Sequence, residues 1–287
     1  MKGMMLKRFN LTIIVEDAVS PQKKNIGLEA KHGLSIVIQQ SEPRKSILMD
    51  TGQSPDTLLY NMETLGLDFD KIDAVFLSHG HYDHTGGLSA VLEKTNRHVP
   101  VIAHPDVLKP KFKAAPTLRF IGLPLKRSDI ESSSRFLFAR NSVMIAENIL
   151  TTGEIERLTP YEKPRGFWTV ENNVFVEDQM KDDQALILNL PDKGLAIIAG
   201  CAHAGIMNTV RHAQKLTGIK KVHAVIGGFH LNDSSEETVK ATISDLAEIN
   251  PDLVCPCHCT GRKPSRRLIE AFGKRCNPIK TGDTLEI

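Results

Sequence analysis

Ser78-His-Gly-His-Tyr-Asp-His-Thr-Gly-Gly-Leu88 gathers three histidines and an aspartate within six positions, His79 to His84. The run before it, Lys71-Ile-Asp-Ala-Val-Phe-Leu77, is apolar and β-branched and reads as a buried strand. Leu88, Val91 and Leu92 after it are spaced as one face of a helix. The segment is therefore a strand-to-helix loop. Side chains of extended backbone repeat every two residues, so His79 and His81 can aim two nitrogens at one point. Asp83 and His84 come where the chain must turn, and Gly86 and Gly87 permit a tight path into the helix. An oxygen and a third nitrogen can thus face a second, adjacent point. A lone loop histidine is usually solvated or hydrogen-bonded, but four ligand-type residues buried unpaired together would cost several kcal/mol. The pattern is half of a two-metal site.

His-x-His-x-Asp-His after a strand resembles the signature of the metallo-β-lactamase superfamily. Asp50-Thr51-Gly52, ending the run Ser46 to Met49, resembles the family's acidic strand end, which lies behind the histidine loop and hydrogen-bonds its backbone or ligands. Thr151-Thr-Gly-Glu-Ile-Glu-Arg157, Asp182-Asp-Gln-Ala-Leu186, Gly200-Cys-Ala-His-Ala-Gly205, Gly227-Gly-Phe-His-Leu231 and Cys257-His-Cys-Thr-Gly261 are similar to blocks of one branch. That branch includes archaeal synthases that join a dihydropterin to ribofuranosylaminobenzene 5'-phosphate in methanopterin biosynthesis, and many metal-dependent hydrolases. The resemblance spans roughly residues 10 to 287.

Catalytic zinc sites take nitrogen, sulfur and carboxylate ligands and leave a position open for water. The first metal set is His79, His81 and His203, and the second is Asp83, His84 and His258. Each set needs one histidine from the far half of the chain, and both of these follow strand patterns, Leu195 to Ala199 and Leu253-Val254. Many superfamily members place a bridging aspartate where this chain has Gly200-Cys201, and carry an earlier histidine that is absent here. Two arrangements stay open. Either Cys201 supplies a thiolate, or His203 substitutes and there is no bridging carboxylate. Asp183 and Asp50 are further candidates for a bridging or supporting place. Asp83 and His230 are the candidate catalytic groups; His230 follows a Gly-Gly turn and suits substrate binding or proton transfer, with a structural hydrogen bond as the alternative. Glu154 and Arg157 read as a structural or substrate-orienting pair.

The resemblance implies two divalent metal ions, zinc or else manganese or iron. His81, where oxygen-reducing diiron relatives have glutamate, argues against iron and oxygen chemistry. The function it implies is hydrolysis of an ester, lactone or phosphoester by a metal-activated water, and the basic stretch from Lys109 to Arg140 and the helix opening at Ala204 make a small anionic, phosphorylated molecule the expected substrate. The branch supplies an alternative, a transferase joining a dihydropterin pyrophosphate to ribofuranosylaminobenzene 5'-phosphate. A third reading from another class is a non-catalytic metal-binding module.

The chain has 287 residues, of which 41% are hydrophobic and 24% charged, with a net charge of +2. It can bury a large core, and nothing in its balance calls for nucleic acid or a membrane as partner. The basic start, Met1 to Arg8, precedes Leu11-Thr-Ile-Ile-Val15, too short for a signal core and ended by Glu16-Asp17, so a cytoplasmic location is expected. Five cysteines, crowded near the C-terminus, do not form the even set of a secreted disulfide framework. The oligomeric state stays open, a homodimer included.

Short strands are expected at Leu11–Val15, Ser35–Ile38 and Ile47–Met49 as an antiparallel meander, followed by a helix over residues 54–66 capped by Ser54. Strands then recur at residues 74–77, 99–103, 136–138, 143–146, 149–150, 174–176, 185–190, 195–199 and 222–226. Helices are expected over 204–217, with Ile206, Val210, Ala213 and Leu216 buried, and over 236–249 and 264–272. Meander and helix occur twice. The architecture is therefore an α/β fold, a four-layer αββα sandwich of the metallo-β-lactamase type. It forms one domain over 1–287, with two β-rich halves, about 10–150 and 151–287, sharing one metal site. The helix opening at Ala204 would offer N–H groups to an oxyanion beside the metals. Lys109, Lys111, Lys113, Arg119, Lys126, Arg127, Arg135 and Arg140 form a basic stretch that reads as a solvated surface or as a lid or groove that attracts an anionic substrate.

Overall fold

The computed structural model describes residues 8–95, 98–126, 128 and 135–287. Arg127, the first seven residues and part of the 109–135 segment lie outside them. The first sheet takes β1 (Phe9–Val15), β2 (Ser35–Gln40), β3 (Lys45–Met49), β4 (Ala74–Phe76), β5 (Val101–Ala103), β8 (Phe136–Phe138) and β17 (Thr284–Glu286), in the order β17-β1-β2-β3-β4-β5-β8. Strands β17 to β3 pair antiparallel, and β3, β4, β5 and β8 run parallel. The second sheet takes β9 (Met144–Ala146), β10 (Ile149–Thr151), β13 (Ala185–Leu190), β14 (Gly194–Ala199), β15 (Val222–Gly228) and β16 (Leu253–Cys257), in the order β16-β15-β14-β13-β10-β9.

Alternation along single strands builds the layers. Ile36 and Ile38 of β2 face the core between the sheets, meeting Leu186, Leu188 and Ile198 of the second sheet. Val37 of the same strand faces outward, with Leu48 and Val75, onto Leu58 and Met62 of α1 (Pro55–Thr64) and, beyond the one-turn α2 (Tyr82–Thr85), onto Leu88 and Val91 of α3 (Leu88–Lys94). The second sheet does the same in mirror order. Ile197 and Val225 face Met207 and Val210 of α4 (Ile206–Thr217), Leu246 of α5 (Glu236–Ile249) and Leu268 of α6 (Arg262–Phe272). Both faces of both sheets are covered, which is why β14 and β15 read as continuous apolar runs rather than as alternating ones. Each Leu or Ile so buried contributes roughly 1.5–3 kcal/mol relative to exposure. This is the expected αββα sandwich. The inter-sheet core draws on residues from Phe9 to Ile287.

Ser54 caps α1, its hydroxyl accepting from Thr57 N–H at 3.3 Å. Cys255 and Cys257 lie in β16 and pack into the inter-sheet core. Leu216, expected in the buried stripe of α4, is exposed, because it sits round the side of the helix from Met207 and Val210.

A third sheet was not expected. It joins β6 (Lys111–Lys113), β7 (Arg119–Phe120), β11 (Phe167–Glu171) and β12 (Val174–Glu177) in the order β12-β11-β6-β7, all antiparallel. Apart from β12, expected over 174–176, its strands of two to five residues are too short to give a readable period. The basic stretch therefore is not a simple lid. Lys109 pairs with Asp106 and Glu171, Arg140 pairs with Asp106 and Glu154, and Arg135 donates to Leu92 O. Lys111 is 1% exposed, its ammonium 2.9 Å from Asp178 and 2.8 Å from Asp182. No helix among the described residues is long and apolar enough to cross a membrane.

Candidate metal centre

Strand β3 ends at Asp50 in a left-handed turn, φ 57°. From there its buried carboxylate accepts from Ser78 N–H and Ser78 Oγ, both at 2.7 Å, and lies 2.7 Å from His84 Nδ1. Ser78 Oγ is in turn 2.9 Å from His79 Nδ1. These bonds occupy the inner nitrogens of His79 and His84 and leave both Nε2 atoms directed away from Asp50, which orients rings of metal-binding type. Gly80 N–H donates to Asp182 at 2.8 Å, so the Lys111 ion cluster holds the loop from the other side. Thr51 N–H bonds His84 O at 2.7 Å and Thr85 Oγ1 bonds His81 O at 2.9 Å. A side chain at Gly200, where β14 ends, would collide with Ser78, so glycine is required for the second sheet to approach the loop.

The ligand atoms of His79, His81 and His203 lie within 4.8 Å of one another, as do those of Asp83, His84 and His258. The two groups adjoin, with the rings of His79 and His84 4.2 Å apart. Short turns after β14 and β16 carry His203 and His258 to the site. Burial holds the imidazoles of His79, His81 and His203 well below the usual histidine range, so they are neutral and keep a lone pair. Burial would raise the Asp83 carboxyl, but His84 and the imidazoles of His258 and His32, 3.2 and 3.3 Å away, outweigh it and hold that group well below the ordinary range. Buried His81 Nε2, both nitrogens of His203, and His258 Nε2 have no hydrogen-bond partner. Such orphaned atoms are costly unless they bind something. His79, His81 and His203 as neutral imidazoles at one point, and the ionised carboxylate of Asp83 with His84 and His258 at another, are nitrogen and oxygen donors that suit zinc-type divalent ions, so these residues fit a metal. Burial would lower the His258 imidazole, but Asp17 and Asp83 raise it well above the usual histidine range, so a metal held there would displace its proton.

Cys201 and His203 both reach the cluster. His203 joins His79 and His81, while Cys201 Sγ stands 3.1 Å from His84 Nε2, grouped with His79 and His84. Burial pushes the Cys201 thiol well up. Asp183 stands behind this turn, accepting from Ala204 N–H at 2.9 Å, and joins neither ligand group. His230 lies with its ring 4.3 Å from His203 and its Nδ1 buried without a partner.

Three expectations need correction. The Glu154–Arg157 pair does not form: Glu154 lies 3.0 Å from His104 and accepts from Arg140, while Arg157 donates to Met180 O at 2.9 Å. Neither lines the cavity above the histidines. The start of α4 is not open to an oxyanion. Glu162 takes its Met207 and Asn208 N–H groups at 2.8 Å each, and Asp183 takes that of Ala204. Lys111, as a buried partner of two aspartates, is not available as a substrate cation.

Other residues come to the site that the sequence reading passed over. Asp17, at the end of β1, lies 3.0 Å from His258 Nδ1, and His32 Nε2 lies 3.3 Å from Asp83. Asp17 and Asp83 raise the His32 imidazole to about 9. Their one local signal is position at a strand end and in a glycine turn. Phe167 of β11 packs its ring 5.1 Å from His81 and 4.8 Å from His203. Above this floor opens a cavity of about 1260 Å³, lined by His81, Asp83, His203, His230 and His258, by Phe167, and by cations from β6, β7 and α6.

A family model for the metallo-β-lactamase superfamily matches residues 29–179, a span that contains the whole histidine loop. The 7,8-dihydropterin-6-methyl-4-(β-D-ribofuranosyl)-aminobenzene-5'-phosphate synthase of Methanocaldococcus jannaschii is 35% identical over 266 residues, 90% of this chain and 90% of that protein. The uncharacterised protein MJ0448 of the same organism is 33% identical over 83% of this chain and 88% of its own. Among solved structures, Tm1679, a metal-dependent hydrolase of the β-lactamase superfamily, superposes with a TM-score of 0.82 at 27% identity, covering 97% of this chain and 99% of that one. With two packed sheets, a histidine loop at the end of β4 and these matches along its length, the chain belongs to the metallo-β-lactamase superfamily.

Proposed function

We propose that the protein is a cytoplasmic metal-dependent hydrolase that uses an activated water to attack a small phosphorylated substrate. The observation that carries this reading is the set of unpartnered, buried imidazole nitrogens at the floor of a large cavity with cations at its rim. His79, His81 and His203 would hold one divalent ion, and Asp83, His84 and His258 a second. Zinc is the ion their chemistry favours. Bound there, such a pair supplies a water nucleophile at neutral pH and a Lewis acid for a carbonyl or phosphoryl oxygen.

The remaining steps belong to the chain. Asp50 and Ser78 fix the ring orientations of His79 and His84, so the donors need little reorganisation. His230 is placed to bind a substrate oxygen or to carry a proton at Nδ1, since that atom is buried and unpaired. Phe167 gives an apolar wall beside His81 and His203 that excludes water.

A second reading is favoured by the 35% identity to a dihydropterin-joining synthase over 90% of both chains. The protein would then be a transferase joining a dihydropterin to a ribofuranosylaminobenzene phosphate, with Phe167 as a face for a flat ring. Metal analysis after reconstitution, followed by turnover assays on phosphodiesters, lactones and a dihydropterin pyrophosphate with its arene acceptor, decides between them. Water-dependent release of phosphorylated product without an acceptor supports the hydrolase; acceptor-dependent loss of pyrophosphate supports the transferase. Absence of any stoichiometric transition metal would sink both.

A further inference from the structure

Six cations line the cavity: Lys113 and Arg119 on the third sheet, Arg262, Lys263 and Arg266 on α6, and Lys280 in the loop before β17. The side chains of all six lack a hydrogen-bond or ion-pair partner among the described residues. The three on α6 are unusual in position. Arg262 and Lys263 are the first two residues of that helix, where the macrodipole disfavours positive charge, and no acidic residue occupies its first turn. Gly261 caps the helix without a side chain, and the N–H groups of Arg262 and Lys263 have no acceptor. Arg262, Arg266 and Ile269, at helical spacings of four and three, line the same cavity and so share one face. By contrast, Arg267, on another side, is paired with Glu236.

The place of this helix start gives the arrangement its meaning. Gly261 N–H bonds His258 O, so the turn that presents His258 to the floor is the same turn that opens α6. His258 is itself buried and lines the cavity with its Nε2 unpartnered, 3.2 Å from Asp83 but without hydrogen-bond geometry. An anion at the first turn of α6 would take up two free N–H groups and at least two guanidinium groups while its remaining atoms reached the histidines. Arginine pairs planar donors with phosphate oxygens, which suits a phosphate better than a single carboxylate.

We propose that the first turn of α6, with Arg262, Lys263 and Arg266 and together with Lys280, is the subsite for a phosphate group carried at one end of the substrate. The reacting bond of the same substrate lies over the histidine floor. This rests on the reading that the cavity takes a phosphorylated molecule, and adds which wall holds the phosphate.

The test uses the full chain loaded with metal, and inorganic phosphate as the probe, titrated by calorimetry. The variants are the double replacement Arg262→Ala with Arg266→Ala, and Arg267→Ala as a control for lost surface charge. Phosphate binding should weaken about tenfold or more in the double variant, since charge-assisted hydrogen bonds are lost. The control should bind as the parent does, and metal content and melting temperature should be kept in both. A second arm uses as substrates a lactone that carries a phosphate monoester away from the lactone bond and, as the analogue, the same lactone without that phosphate. The double variant should raise KM for the monoester by more than it lowers kcat, and leave KM for the analogue unchanged. A parent that does not bind phosphate, or a double variant that binds it equally, overturns the subsite. Phosphate binding lost in the double variant upholds the subsite even if only neutral substrates are turned over, a result that would sink the functional reading alone.

Discussion

Replacing Lys111 with methionine separates the structural role of the basic stretch from a role in substrate binding. Lys111 is 1% exposed, and its ammonium lies 2.9 Å from Asp178 and 2.8 Å from Asp182, which are also buried. Methionine keeps most of the stem, so the change removes charge with little loss of packing. Two carboxylates are then left without their cation, and breaking a buried ion cluster from one side costs about 3–5 kcal/mol. That is a large part of the ~5–15 kcal/mol stability of a typical fold, and lowers the melting temperature by about 5–8 °C in a chain of this size. Asp182 also accepts from Gly80 N–H, between two candidate ligands, so metal affinity should fall by on the order of tenfold. Calorimetric melting and elemental analysis of the Lys111→Met protein read both effects. A variant as stable as the parent, with full metal content but a raised KM for an anionic substrate, would refute the structural assignment and return Lys111 to the substrate.

His203→Ala should lose the ion held with His79 and His81, while His258→Ala or Asp83→Ala should weaken mainly the other; elemental analysis of each variant checks this, and equal metal content in all three would remove the ligand assignment. Asp50→Ala leaves buried Ser78 and His84 without their acceptor and should cost about 2–4 kcal/mol in urea unfolding; a loss under 1 kcal/mol would mean the loop does not depend on it. Burial lifts the Asp183 carboxyl to about 7 from the ordinary 3.8, so its contribution favours the fold at pH values below 3.8 and is lost as pH rises through 7. Asp183→Asn should flatten that decline in a stability-against-pH series, and an unchanged slope counts against it. Fragments 8–150 and 151–287 should not melt cooperatively alone, because the inter-sheet core mixes residues of both; two independently folded halves would contradict this.

What could be read from the chain depended on how local the relevant contacts are. The loop from His79 to His84 is legible because four ligand types fall within one turn of chain, and His203 and His258 because each ends an apolar strand. Asp50 came from the resemblance rather than from its own surroundings. Lys111 could not be read, since its burial depends on partners 67 and 71 residues away, and by composition it is one cation among eight. Glu162 closes the start of α4 from 45 residues upstream. Asp17 and His32 are single residues in separate turns, joined to Asp83 and His258 only when β1 meets the end of β16. Of the third sheet only β12 was legible, over 174–176; β6, β7 and β11, of two to five residues, carry too few alternations to be told from loop.

The two helix starts near the cavity show why an anion belongs at one and not at the other. At α4 the acceptor is already part of the chain: Glu162 holds two first-turn N–H groups, and a side chain at Gly205 would collide with it. Burial raises the Glu162 carboxyl, and a substrate anion arriving there would find the donors already filled. At α6 the signs are reversed. The helix begins on an unadorned glycine, its first two residues are cations, and its donors are unpaired. Favourable anion placement at a helix start is worth up to about 2 kcal/mol when partly buried, and cations there work against the same field until an anion arrives. The protein therefore carries an unfavourable local charge arrangement that a bound phosphate would turn favourable. Because α6 follows His258 by one turn, that gain is realised in the same cavity as the metal-binding side chains.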